Sequence, residues 1–136
     1  MKSTLLFLRV AILSIAIGII LGAFGAHALK NVFGDYELDI WNKGIFYQIT
    51  NSLGIILIVL LIESKLIKSS KLALSFLAFG IILFSGSLYA IALSKVFLEP
   101  NNWINIITIP MTPIGGSLII AGWIITFFNI NINHIK

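Results

Sequence analysis

His27, Tyr47, Gln48, Asn51, Ser85, Ser87 and Tyr89 are the side chains of this sequence with the chemistry to grip a polar ligand or pass a proton. Each lies in a long run without Asp, Glu, Lys or Arg, where polar groups are costly and therefore point to a site. Tyr47 and Asn51 are four residues apart and share one face of a helix, with Gln48 and Ser52 as the adjacent pair. A buried amide needs hydrogen-bond partners, and His27 or the Ser85 and Ser87 hydroxyls can supply them. Thr108 and Thr112 add two more hydroxyls. Two uses follow: a polar clasp that fixes helix register, or a shallow ligand or proton site. The clasp is the favoured reading. Proton-coupled transport usually adds a carboxylate or lysine at membrane depth, and none accompanies His27.

Catalysis has little to stand on. The chain has no cysteine, so thiolate nucleophiles, iron–sulfur clusters and disulfides are out of reach. Its two histidines are His27 and His134, and the second sits in a polar tail. One imidazole inside the apolar region is too few ligands for zinc or a bis-histidine haem, so neither a metal nor a cofactor is expected. No nucleophile–base pair stands out.

The elements that must position these groups are four charge-free apolar windows, over 10–29, 44–62, 72–94 and 100–135. A helix needs roughly 20 apolar residues to cross the hydrocarbon layer. The runs are continuous rather than alternating, which indicates helices and not a barrel. Of 136 residues 59% are hydrophobic and only 10% charged, with mean hydropathy +1.07. One soluble core of this size cannot hide that much apolar surface, whereas lipid can solvate it. The sequence thus predicts an all-α integral membrane four-helix bundle, one transmembrane domain over 1–136, with spans at about 5–28, 44–62, 71–94 and 113–129.

Net charge is +4, but the basic residues sit at span ends, where they set orientation and meet anionic lipid headgroups; nucleic acid is not an expected partner. Lys2, Arg9, Lys65, Lys68, Lys71 and Lys136 fall on one side, and Lys30, Lys43 and Lys95 on the other. This asymmetry places both termini and the 63–71 loop in the cytoplasm. Asp35, Glu37 and Asp39 then form a solvated outer connection. With helices alternating in direction, the polar candidates share the outer end of the bundle. Residues 1–28 also resemble a signal peptide ending in Ala26-His27-Ala28, but their length and spaced glycines fit a packed span better.

Ser14, Gly18, Gly22 and Ala26 form a small-residue stripe along the first span. Gly86, Ala90 and Ser94 repeat the pattern on the third, and Ser117 and Ala121 on the fourth. Such stripes let backbones approach closely within the bundle, or between copies of the chain. GAFGAHAL at 22–29 and GSLYAIAL at 86–93 share enough to suggest a duplication or a coincidence of restricted composition. Glu99-Pro100-Asn101-Asn102 reads as a turn, with Trp103 as an interfacial anchor. Residues 103–110 lie along the interface or dip into it. Pro110 and Pro113 interrupt any continuous helix, so the last span starts with Thr112 as N-cap and Pro113 in its first turn.

GAFGAHALK at 22–30, YQITNSL at 47–53, LFSGSLYAIAL at 83–93 and TPIGG at 112–116 resemble the YgdD/YwdK-like family of small four-helix inner-membrane proteins, a domain of unknown function. The resemblance runs over nearly the whole chain in matching order. It implies the four-span fold and the bacterial cytoplasmic (inner) membrane, and it carries no activity. It also implies a histidine where this chain has Asn51. A metal or proton site pairing that histidine with His27 would be lost here, whereas a hydrogen bond survives, because Asn also donates and accepts.

The expected function is a non-enzymatic packing or interaction module, self-associating through glycine-rich faces. Its partners would be membrane lipids and other membrane proteins. The alternative is a small transporter, channel or lipid-binding protein with a polar site near the outer membrane face.

Overall fold

The computed structural model describes residues 2–98 and 103–131 and is built of helices alone apart from one isolated β-bridge. In chain order they are α1 (Lys2–Phe24), a π-helical turn (Gly25–Leu29), α2 (Asp35–Glu63), α3 (Lys71–Phe97) and α4 (Trp103–Phe128). Among the described residues, four helical segments are long and apolar enough to cross a membrane. The Glu99–Asn102 turn, His134 and Lys136 lie outside the described residues.

Helices α1 to α4 pack in sequence order, α1 on α2, α2 on α3 and α3 on α4. α1 is peripheral: 11% of its apolar window is buried, against 39% for α2 and for α3. Two apolar cores lie at different heights. One joins Ile55, Ile58, Leu74, Leu77 and Ile119, and the other joins Leu29, Phe33, Ile40, Trp41 and Ala92.

Several expectations are corrected. α2 begins at Asp35, so the acidic segment is its first turns and not a free loop. Asp35 and Glu37 there oppose the positive end of the helix dipole, and Lys43 pairs with Asp39 at 2.7 Å one turn on. Consequently Gln48, Asn51 and Ser52 lie midway along α2, between the two cores, and not near an end.

α4 runs unbroken through Pro110 and Pro113, so Thr112 is not an N-cap and 103–110 is not a separate segment. Both prolines are exposed, on the side away from α3. Thr108 and Gly115, on the other side, are buried. A proline removes one ladder hydrogen bond, but packing of the opposite face holds the helix through it. That packing is close: a Cβ on Gly115 would strike the α3 backbone at Leu83 and Phe84, and one on Gly122 would lie 2.8 Å from Leu77. The α3–α4 seam therefore runs through Gly80, Gly115 and Gly122 rather than through Ser117, which is exposed.

The small stripe of α1 holds only in part. Gly18 sits under Ile49, where an added Cβ would come within 2.8 Å. Gly22 is looser, 3.9 Å from Ile45. Ala26 is exposed, because the π turn widens the helix and shifts its register, and Gly25 meets Trp41 instead. On α3 nothing lies within 4 Å of a Cβ built on Gly86, so that stripe is open within the chain; Ala90, half-buried, follows it. Gly22 and Gly86, equivalent in the suggested repeat, thus have unlike surroundings.

Past α2, the 64–70 connection is pinned to the end of α4. Lys68 N–H donates to the Asn129 carbonyl and Asn131 N–H to the Leu66 carbonyl, both at 2.9 Å.

Candidate functional site

The layer between the two cores is polar, and one carboxamide organises it. Gln48 Nε2 donates to the Ser14 carbonyl of α1 at 2.7 Å, and Gln48 Oε1 accepts from the Tyr89 hydroxyl of α3 at 2.7 Å. Gln48 thereby ties α1, α2 and α3 together. One turn further, Ser52 Oγ donates to Ser14 Oγ at 2.9 Å. Tyr89 reaches this position because its ring lies on Gly44, whose added Cβ would be 2.6 Å from it.

Asn51 ties α2 to α4. Its Nδ2 donates to the Tyr47 carbonyl and its Oδ1 accepts from Trp123 Nε1, each at 2.9 Å. Ser87 Oγ and Thr112 Oγ1, 2.7 Å apart, link α3 to α4, and Ser94 Oγ donates to Asn105 Oδ1 at 2.5 Å. Tyr47 joins through its backbone carbonyl, while its ring stands edge-on to Phe84 at 4.7 Å. The layer does not include His27, which is exposed on the π turn and supplies no bond to either amide.

Two tryptophans escaped the sequence reading. Trp41 Nε1 donates to the Leu21 carbonyl at 3.0 Å, one turn before the π segment, and its ring packs 4.7 Å from Tyr89. Trp123 rests on Gly54, whose added Cβ would be 2.5 Å away, and bonds Asn51. Their signal was available: an indole N–H placed in apolar surroundings must find an acceptor.

Ser85 differs from the rest. It is 1% exposed, and among the described residues its Oγ is the buried side-chain polar atom left without a hydrogen bond. It lines a cavity of about 360 Å³ between α1 and α3, a size in the range of small-ligand sites. Val10, Leu13, Ile17, Ile81 and Ile82 furnish apolar walls, and open Gly86 adds room. Ser14, Gln48, Ser52, Ser85 and Tyr89 also line it, but nearly all of the surface it presents is apolar. Among the described residues no Asp, Glu, Lys, Arg or His lines it.

Helices of this length and hydropathy, holding a buried polar layer in an otherwise apolar bundle, define a multi-pass membrane protein. Residues 21–116 match the family described as "Protein of unknown function (DUF423)". The chain is 39% identical over 104 residues to a UPF0382 membrane protein of Staphylococcus epidermidis, covering 76% of this chain and 77% of that one. It is 33% identical over 105 residues to the UPF0382 membrane protein YwdK of Bacillus subtilis (76% and 78% covered). With the UPF0382 inner membrane protein YgdD of Escherichia coli the figures are 37% over 103 residues, 76% and 72% covered. The chain belongs to the DUF423/UPF0382 family and is a multi-pass protein of the cell membrane. No solved structure matches it.

Proposed function

We propose that the protein works without catalysis, as an interaction module of the membrane whose partners are lipids and other membrane helices. The observation that carries this reading is the double engagement of Gln48, whose amide is committed at both ends to holding α1, α2 and α3 together. A group that must accept and release protons or substrate is not usually bound on both sides. In this reading both termini and the lysine-bearing 64–70 connection face the cytoplasm, as the basic asymmetry requires.

Self-association is part of the same proposal, through faces other than the glycines of the seams. Gly18, Gly80, Gly115 and Gly122 are already packed within the chain, so a second copy would meet the outer face of α1. Native mass spectrometry of protein ejected from lipid nanodiscs tests this: dimers or higher species support it, and strictly single chains sink self-association.

A second reading, a lipid-binding protein, is favoured by the cavity between α1 and α3. Its polar lining residues Gln48, Ser52 and Ser85 lie midway along α2 and α3 rather than near a membrane face.

A further inference from the structure

Serines and threonines inside apolar helices ordinarily return their hydroxyl to a carbonyl three or four residues back. Ser87, Thr108, Ser117 and Thr126 all do so here. Ser85 does not, and among the described residues nothing else takes its hydroxyl. An unpaired buried hydroxyl is costly, so a native one calls for a partner outside the chain.

We infer that the α1–α3 cavity binds a neutral long-chain lipid carrying a carbonyl oxygen, with Ser85 Oγ donating to that oxygen and the chain lying along Val10, Leu13, Ile17 and Ile82. The inference rests on the lipid-binding reading and names the chemistry of its ligand.

Three observations select this class. Among the described residues the lining has no charged side chain, so an ionic headgroup has no counter-charge there. The neighbouring carboxamide is engaged at both ends, which leaves a hydroxyl proton as the unmet group and calls for an acceptor. Ser85 lies midway along α3 (Lys71–Phe97). That depth corresponds to the middle of a hydrocarbon layer about 30 Å thick, where ordinary phospholipids present methylenes and not their ester carbonyls. A compact carbonyl head on an apolar chain can reach it.

Wild-type protein in phosphatidylcholine nanodiscs would be titrated with decylubiquinone, a neutral quinone with a ten-carbon chain. Decylbenzene, which has a chain of the same length and no carbonyl, would be titrated in parallel. Binding would be read by equilibrium partitioning into loaded against empty discs. Ser85→Ala removes only the hydroxyl. Gly86→Leu fills the groove where no atom lies within 4 Å of the new Cβ. Saturable binding of decylubiquinone is expected, weakened about three- to tenfold by Ser85→Ala, the worth of one hydrogen bond, and abolished by Gly86→Leu. Decylbenzene binding should be indifferent to Ser85→Ala. If both probes bind alike and Ser85→Ala changes neither, the carbonyl contact is overturned while the lipid-binding reading stands. Saturable binding of neither probe overturns both.

Discussion

Tyr89 on α3 donates its hydroxyl to the side-chain oxygen of Gln48 on α2 across 2.7 Å, and the far end of the same amide holds the Ser14 carbonyl of α1. Neither side chain is paired with a charge, and the bond lies between two apolar cores. Its value to the fold is therefore that of an interhelical hydrogen bond whose loss leaves a buried polar group alone.

Replacing Gln48 by Leu should lower stability by about 1–3 kcal/mol, since the Ser14 carbonyl and Tyr89 hydroxyl both lose a partner. Tyr89→Phe should cost less, about 0.5–1.5 kcal/mol, because Gln48 keeps its bond to α1. The double variant should cost less than the sum. Thermal unfolding in detergent or nanodiscs, arranged as a double-mutant cycle, checks this; strict additivity would show that the two side chains are not coupled.

The glycines divide into two groups. Gly115→Ala should destabilise by about 2 kcal/mol or more, because its Cβ meets the rigid backbone of Leu83 and Phe84. Gly86→Ala has free space and gains helix propensity, so it should be neutral or stabilising by up to about 1 kcal/mol. Comparable losses at both positions in a thermal-shift series would contradict the packing described.

Much of the bundle was legible because it is written in segment length and hydropathy, and Gln48, Asn51 and Tyr89 were legible as polar residues in apolar runs. The partners were not, since they depend on how helices face one another. His27 looked like a partner for the amides, but the π turn carries it to the surface, and backbone carbonyls and indoles take that role. The start of α2 was misplaced because charge suggested a loop, while Asp35 and Glu37 favour a helix N-terminus. α4 was cut at its prolines because local rules cannot see that Gly115 and Thr108 anchor the opposite face.

Pro110 and Pro113 are exposed and lie in a helix that continues unbroken through them. Pro110→Ala or Pro113→Ala should restore a ladder bond and stabilise the protein, by up to about 3 kcal/mol, the propensity difference in a helix interior. A fall in unfolding temperature for both would mean that the prolines themselves support the bundle.

Asn51 offers a test of the tie between α2 and α4. Its Oδ1 accepts from Trp123 Nε1 while its Nδ2 donates to the Tyr47 carbonyl. A neutral imidazole can also accept at one nitrogen and donate at the other, so Asn51→His, which restores the residue implied by the family resemblance, should fold and hold α4 to α2 at neutral pH. Asn51→Leu has neither group and leaves the Trp123 indole N–H without its acceptor. It should be less stable than the parent and than Asn51→His by about 1–3 kcal/mol, read as unfolding temperature at one neutral pH. Equal unfolding temperatures for Asn51→Leu and Asn51→His would show that position 51 does not need an acceptor, and the Trp123 bond would lose its place in the clasp.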